Sequence, residues 1–149
     1  MSDAQDRREQ ILTRLQEVVA GVSPIVKCHR NRSELPENHR PGAVILDGDE
    51  TMVEDMQVGR GRSALVPPQV IDMTPEIFIA LAGGETEVGT ALNQLRFDLI
   101  KAIMNDDKLI RLCLDGGIRY VAFSSEFANG RSLEAEGHLG FAFRYVLHP

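Results

Sequence analysis

The sequence predicts an α+β fold: a two-layer sandwich with two or three helices packed on one face of a mainly antiparallel sheet. Three observations lead there. The chain has 149 residues, 43% hydrophobic and 26% charged, enough for one real core without staples and typical of a globular domain. Apolar residues recur at three-to-four spacing in some segments and at every second position in others, the periods of helix and strand. These segments follow in the order helix, two strands, long excursion, strand, helix or helices and closing hairpin, which suits an antiparallel sheet with its helices on one side.

Each element has its own local reason. Ile11, Leu12, Leu15, Val18, Val19 and Val22 form an apolar stripe with Arg7, Arg8, Glu9, Arg14 and Glu17 between them, an amphipathic helix closed by Gly21 and Pro24. Ile25 to His29 is a short strand candidate, and 31–42, with Pro36 and Pro41, is a loop. Gly42 to Leu46 reads as a buried strand ending in the acidic turn Asp47-Gly48-Asp49-Glu50. Val70 to Leu81 alternates, with Ile71, Met73, Ile77, Ile79 and Leu81 on one face; Pro75 splits it into two pieces or bends an edge strand. The strongest helix runs from Glu85 to Asn105 on the stripe Val88, Leu92, Leu95, Leu99 and Ile103. Asp106 or Asp107 caps a further short helix stopped by Gly116-Gly117. Ile118 to Phe123 and Leu139 to Leu147 close the sheet as a hairpin with Asn129-Gly130 at its turn. The whole of 1–149 reads as a single domain, with a long flexible excursion at about 48–68 where charge, glycine and proline replace apolar residues.

Composition excludes several classes. Sixteen basic against twenty-two acidic residues leave a net charge of −6, the wrong sign for direct nucleic-acid recognition through a broad basic footprint. No apolar run approaches a membrane span, and the polar opening residues lack a secretory pattern, so the chain is expected in the cytoplasm with no membrane partner. Cys28 and Cys113 lie far apart, without metal spacing, and are expected to be reduced and buried. His29, His39, His138 and His148 show no H-x-x-x-H pairing, so neither a metal nor a cofactor is expected.

Two motifs carry chemical possibilities. Gly59 to Ala64 fits the G-x-G-x-x-A dinucleotide fingerprint in letters, but Pro67-Pro68 forbids the helix that would hold the pyrophosphate. Asp47, Asp49 and Thr51 open an EF-hand-like spacing without its loop glycine or closing glutamate. An apolar strand followed by D-x-D-x-T at Asp47 to Thr51 resembles the first motif of haloacid-dehalogenase-type phosphohydrolases. That resemblance implies Asp47 as nucleophile, Asp49 as acid/base and a Mg²⁺ ion. The rest of that pattern is missing: Ala82-Gly83-Gly84 stands where a phosphate-binding Ser or Thr belongs, and Asp106-Asp107 follow a helix stripe instead of a strand.

The order of elements resembles the tail terminator or tail completion proteins of long-tailed bacteriophages, the group that includes minor tail protein U of lambda-like phages. The pieces carrying the resemblance are the helix around Arg7 to Leu15, the strand and turn Pro41 to Glu50, the excursion after it, the helix from Val88 and the closing strand Glu136 to Tyr145. None is a catalytic signature. The resemblance implies a non-enzymatic virion protein at the neck end of the tail, assembled in the host cytoplasm. Copies form a ring, typically a hexamer, on the tail tube protein, end its polymerisation and meet the head–neck connector proteins. The excursion is acidic first, at Asp47, Asp49, Glu50, Glu54 and Asp55, and basic later, at Arg60 and Arg62, so these residues are the expected subunit or tube interface. A housekeeping interaction domain with no phage connection is the third class that fits the composition.

Overall fold

A computed structural model of the chain describes residues 6–53, 67–81, 87–127 and 135–149. Helix α1 spans Arg7–Ala20, with Asp6 as its cap: the Asp6 carboxylate accepts from the Arg8 amide. It buries Ile11, Leu12, Leu15 and Val19, and the Gly21 amide closes it onto the Glu17 and Val18 carbonyls. Strand β1, Lys27–Arg30, is followed by a loop with a single 3₁₀ turn at Glu37–His39. Strands β2, Gly42–Met52, and β3, Gln69–Ala80, come next. Helix α2, Val88–Met104, buries the five predicted stripe residues, and α3, Asp107–Leu112, is capped by Asp106, whose carboxylate accepts from the Leu109 amide. Strands β4, Ile118–Phe127, and β5, Ala135–Leu147, complete the chain.

The five strands form one sheet in the order β1-β2-β3-β5-β4, antiparallel throughout except for the β1–β2 pair. Period-two alternation sorts its faces. Ala43, Ile45, Ile71, Met73, Ile77, Ile79, Leu139, Phe141, Phe143 and Tyr145 point to one side, where they form a single core with the buried stripes of α1 and α2 and with Leu109 of α3. The other side carries a smaller apolar cluster in which Leu35, from the loop, covers Val44 and Ala80. The predicted two-layer α+β sandwich is therefore present.

Three local expectations are corrected. The turn expected at Asp47 to Glu50 is part of β2, which continues to Met52 through a bulge: Leu46 pairs with Glu76 and Asp49 with Thr74, so Asp47 and Gly48 share one partner position. Residues 48–52 of the expected excursion thus belong to β2, and 54–66 lie outside the described residues. A left-handed Gly48, φ +72°, makes the bulge feasible, because a side chain there would run into the Thr74 carbonyl. Pro75 marks neither a break nor a sheet edge; β3 is the central strand. Pro75 lies opposite that bulge and between the paired residues Met73 and Glu76, so its missing N–H falls where the ladder is already interrupted. Strands β4 and β5 are also longer than predicted, while their Asn129-Gly130 turn falls outside the described residues, as does Glu85 at the predicted start of α2.

Candidate assembly surface

The bulge in β2 is braced to the first helix by charge. Arg30, on β1, donates from Nε and Nη2 to the two Asp47 carboxylate oxygens at 2.8 and 2.9 Å, and from Nη1 and Nη2 to Glu9 of α1 at 2.6 and 2.9 Å. One guanidinium therefore clamps β1, β2 and α1 in bidentate geometry. Asn31, in a left-handed conformation that asparagine tolerates, accepts from the Asp47 amide at 3.0 Å. Arg8 donates to the Gly48 carbonyl at 2.7 Å, and the Tyr145 hydroxyl donates to Glu50 at 2.7 Å. These contacts fix the direction in which the far half of β2 continues along β3 beyond the bulge.

The electrostatics follow the contacts. Hydrogen bonding to Arg30 holds the Asp47 and Glu9 carboxyls below the usual carboxylate range against an opposing desolvation penalty. The same pairs push the Arg30 guanidinium further toward its charged form. Burial, followed by the Glu50 carboxylate, raises the Tyr145 phenol.

The predicted surface residues separate into three groups. Asp47 is engaged in the brace, Glu50 holds Tyr145, and Asp49 is exposed. Glu54, Asp55, Arg60 and Arg62 lie outside the described residues. Asp47 and Asp49 do not converge. Asp47 turns to the helix side, where Arg30 and Glu9 meet it, whereas Asp49 pairs in register with Thr74 on the opposite side of the sheet. Asp106 is also engaged, accepting from Arg14 at 2.7 and 2.9 Å while capping α3. The side chains that the dehalogenase-like motif would need thus lie on opposite faces or inside ion pairs.

Sequence reasoning missed the partners. Arg30, Arg8 and Tyr145 complete the brace, and Asp72 gathers Arg119 and Arg144 across three strands at 2.7 to 2.8 Å on the open face. Only Arg30 left a signal: it alternates with Cys28, so a cation sits at an inward position of a strand beside a helix carrying Glu9. His29 and His39, separated by ten positions, meet at 2.9 Å and tie the loop to β1. No helical spacing foreshadowed that pair.

Two grooves are mixed in charge. One of about 850 Å³ runs between α1 and α3, among Glu9, Arg14, Glu17, Lys108 and Arg111. Another of about 560 Å³ lies on the open face, among Arg32, Leu35, Arg40, Phe78 and His138. Among the described residues no three His, Cys, Asp or Glu side chains gather as a metal site, and no helix is long and apolar enough to cross a membrane. The most exposed element is β4, which ends the sheet order and shows Val121, Phe127 and Tyr120 at 62, 48 and 36% exposure. Neither protein-family models nor curated proteins give a match to the chain.

Proposed function

We propose that the protein is a structural component of a bacteriophage tail. Copies close into a ring, as a hexamer, on the end of the tail tube, stop its growth and present a surface to the head–neck connector proteins. The observation that carries this reading is the braced bulge of β2. Arg8 and Arg30 tie the bulge to α1 and β1, so the exposed acidic Asp49 just beyond it is presented from a rigid base. A head-to-tail interface closes into a ring only if each subunit offers its neighbour a fixed geometry, and a braced, charged strand edge supplies one. The resemblance in element order to tail terminator and tail completion proteins supports the same reading, and the separation of Asp47 from Asp49 favours assembly over phosphoryl transfer.

Deleting this gene alone from its phage or prophage and viewing the lysate by electron microscopy tests the proposal. Overlong tubes or tubes unjoined to heads are the expected result. Normal infectious, fully tailed particles would overturn it. Purified protein is expected to leave a generic aryl phosphate unhydrolysed with Mg²⁺ present; turnover abolished by Asp47→Asn would restore the enzymatic reading.

A further inference from the structure

The outer edge of β4 has the pattern of a strand that pairs with itself. β4 bonds β5 on one side, and no described residue pairs with its other side. An uncovered strand of ten residues displays a row of unmet backbone donors and acceptors, ready to pair with another chain. Its sequence, Ile118-Arg-Tyr-Val-Ala-Phe-Ser-Ser-Glu-Phe127, is complementary to itself when reversed. Full antiparallel overlap of two copies places Ile118 opposite Phe127, Arg119 opposite Glu126 and Tyr120 opposite Ser125, each pair occurring twice about the two-fold axis.

The faces also match, because of the irregularity in β4. In a regular strand this register pairs residues of opposite parity, so the helix side of one copy would continue into the open side of the other. Between Tyr120 and Ala122, however, the β4–β5 register slips by one. Before the slip Ile118 and Tyr120 pair with Phe143 and Phe141 on the helix side, and after it Phe127 pairs with Ala135 on that same side. Arg119 and Glu126 pair with Ala142 and Glu136 on the open side. The slip occurs once in each copy, so both flanks come into phase together.

Charge supplies the second argument. Glu126 stands opposite Glu136 on β5, a like-charge cross-strand pair, and no described cation pairs with Glu126. Like charges directly opposite destabilise a sheet, and an opposite charge relieves them. Arg119 is exposed on the open side and already reaches Asp72; from a second copy it would arrive beside Glu126.

We infer that the free protein forms a two-fold dimer by β4–β4 strand addition, with Arg119 of each copy opposite Glu126 of the other and the exposed Val121 residues flanking the axis. The dimer goes beyond the tail reading and does not rest on it.

Sedimentation velocity of the full chain over the micromolar range tests the inference, with thermal melting as the check on folding. The wild type is expected as a concentration-dependent monomer–dimer mixture. Glu126→Arg and Arg119→Glu are each expected to weaken dimerisation about tenfold or more, since each makes two like-charge contacts. The double variant is expected to recover most of the loss. Should Arg119→Glu fail to fold for want of its Asp72 contact, Val121→Lys, a charge on the open edge, is expected to give monomer. A wild type that stays monomeric, single variants that dimerise normally, or a double variant that gains nothing back would overturn the inference. A larger ring indifferent to Glu126→Arg would also overturn it while leaving the tail reading standing, and a dimer from a gene whose deletion leaves normal particles would do the reverse.

Discussion

Arg30 and Asp47 meet through two parallel hydrogen bonds, 2.8 and 2.9 Å long, between neighbouring parallel strands at the sheet edge. The same guanidinium serves Glu9, so its removal strands two carboxylates. Arg30→Met is expected to cost about 1.5–3 kcal/mol, the range for hydrogen bonds to charged groups, and Asp47→Asn less, since Glu9 remains to hold Arg30. Urea unfolding midpoints of the three proteins check this order, and equal midpoints would show that the brace adds nothing.

Gly48 is the position where backbone conformation leaves no choice. A Cβ there would sit 2.1 Å from the Thr74 carbonyl oxygen at a positive φ. Gly48→Ala is expected to destabilise by more than about 1 kcal/mol, beyond the usual effect of adding a methyl group, because strain and steric conflict act together. Exchange of the Val53 amide, which donates to the Val70 carbonyl across the β2–β3 pair, followed by NMR, should accelerate in the variant if the bulge sets the register beyond it.

The two faces of α2 are expected to answer differently to truncation. Leu95 is buried in the core, while Phe97 is half exposed beneath Lys101. Leu95→Ala should cost about 2–5 kcal/mol through lost burial and a residual cavity. Phe97→Ala should stay within about 0.5 kcal/mol, as surface changes do. A large effect at Phe97 in unfolding melts of the isolated protein would mean that this face is covered.

The thiols offer a chemical check on packing. Cys28 and Cys113 are partly buried against the core and not fully buried as expected, and that burial raises both thiols to about 12, so little thiolate exists at neutral pH. Both should react slowly with a disulfide reagent in the native protein and rapidly in urea. Fast reaction of either under native conditions would place it in an open environment.

Stability is expected to peak between about pH 6.5 and 9. Asp47, Asp72 and Asp106 are lowered from 3.8 chiefly by hydrogen bonds from Arg30, Arg144 and Arg14, so their contribution is complete above the unfolded value and lost as pH falls through the folded one. His29 is lowered from 6.5 by burial first, then by Arg32, His39 and Lys27, so its contribution fades as pH drops below 6.5. Cys28 and Cys113 are raised from 9.0 and Tyr145 from 10.0, so theirs fades as pH rises past those values. Denaturation midpoints from pH 3 to pH 11 trace the curve, and a flat alkaline limb would contradict the burial of these groups.

Much of the fold was legible because single residues carried unambiguous periods. The stripe from Val88 to Ile103 and the alternation from Leu139 to Tyr145 each require a buried face, and each is buried. The acidic half of β2 was illegible because Asp47 to Glu50 satisfies every local rule for a turn; only β3 alongside it and Arg30 across it make it a strand. Pro75 misled for the same reason, since the bulge that accommodates it lies on another strand. At the candidate surface the acidic residues were visible in sequence and their basic partners were not. Glu9 and Arg30 are 21 positions apart and Glu50 and Tyr145 are 95, distances over which spacing carries no information.

Strand order also sets a timetable. The central strand acquires β2 as a neighbour within one connection, but its other neighbour is β5, and Asp72 must wait for Arg144, 72 positions later in synthesis. β4 is made before β5, yet among the described residues its sheet partner is β5 alone. Half of the sheet therefore closes in one late event, the kind of non-local pairing that slows folding and leaves apolar strands waiting in the open. During that interval β4 has both edges unpaired, and a nascent chain would be most vulnerable to mispairing at Val121 and Phe127, the same side chains that remain uncovered once folding is complete.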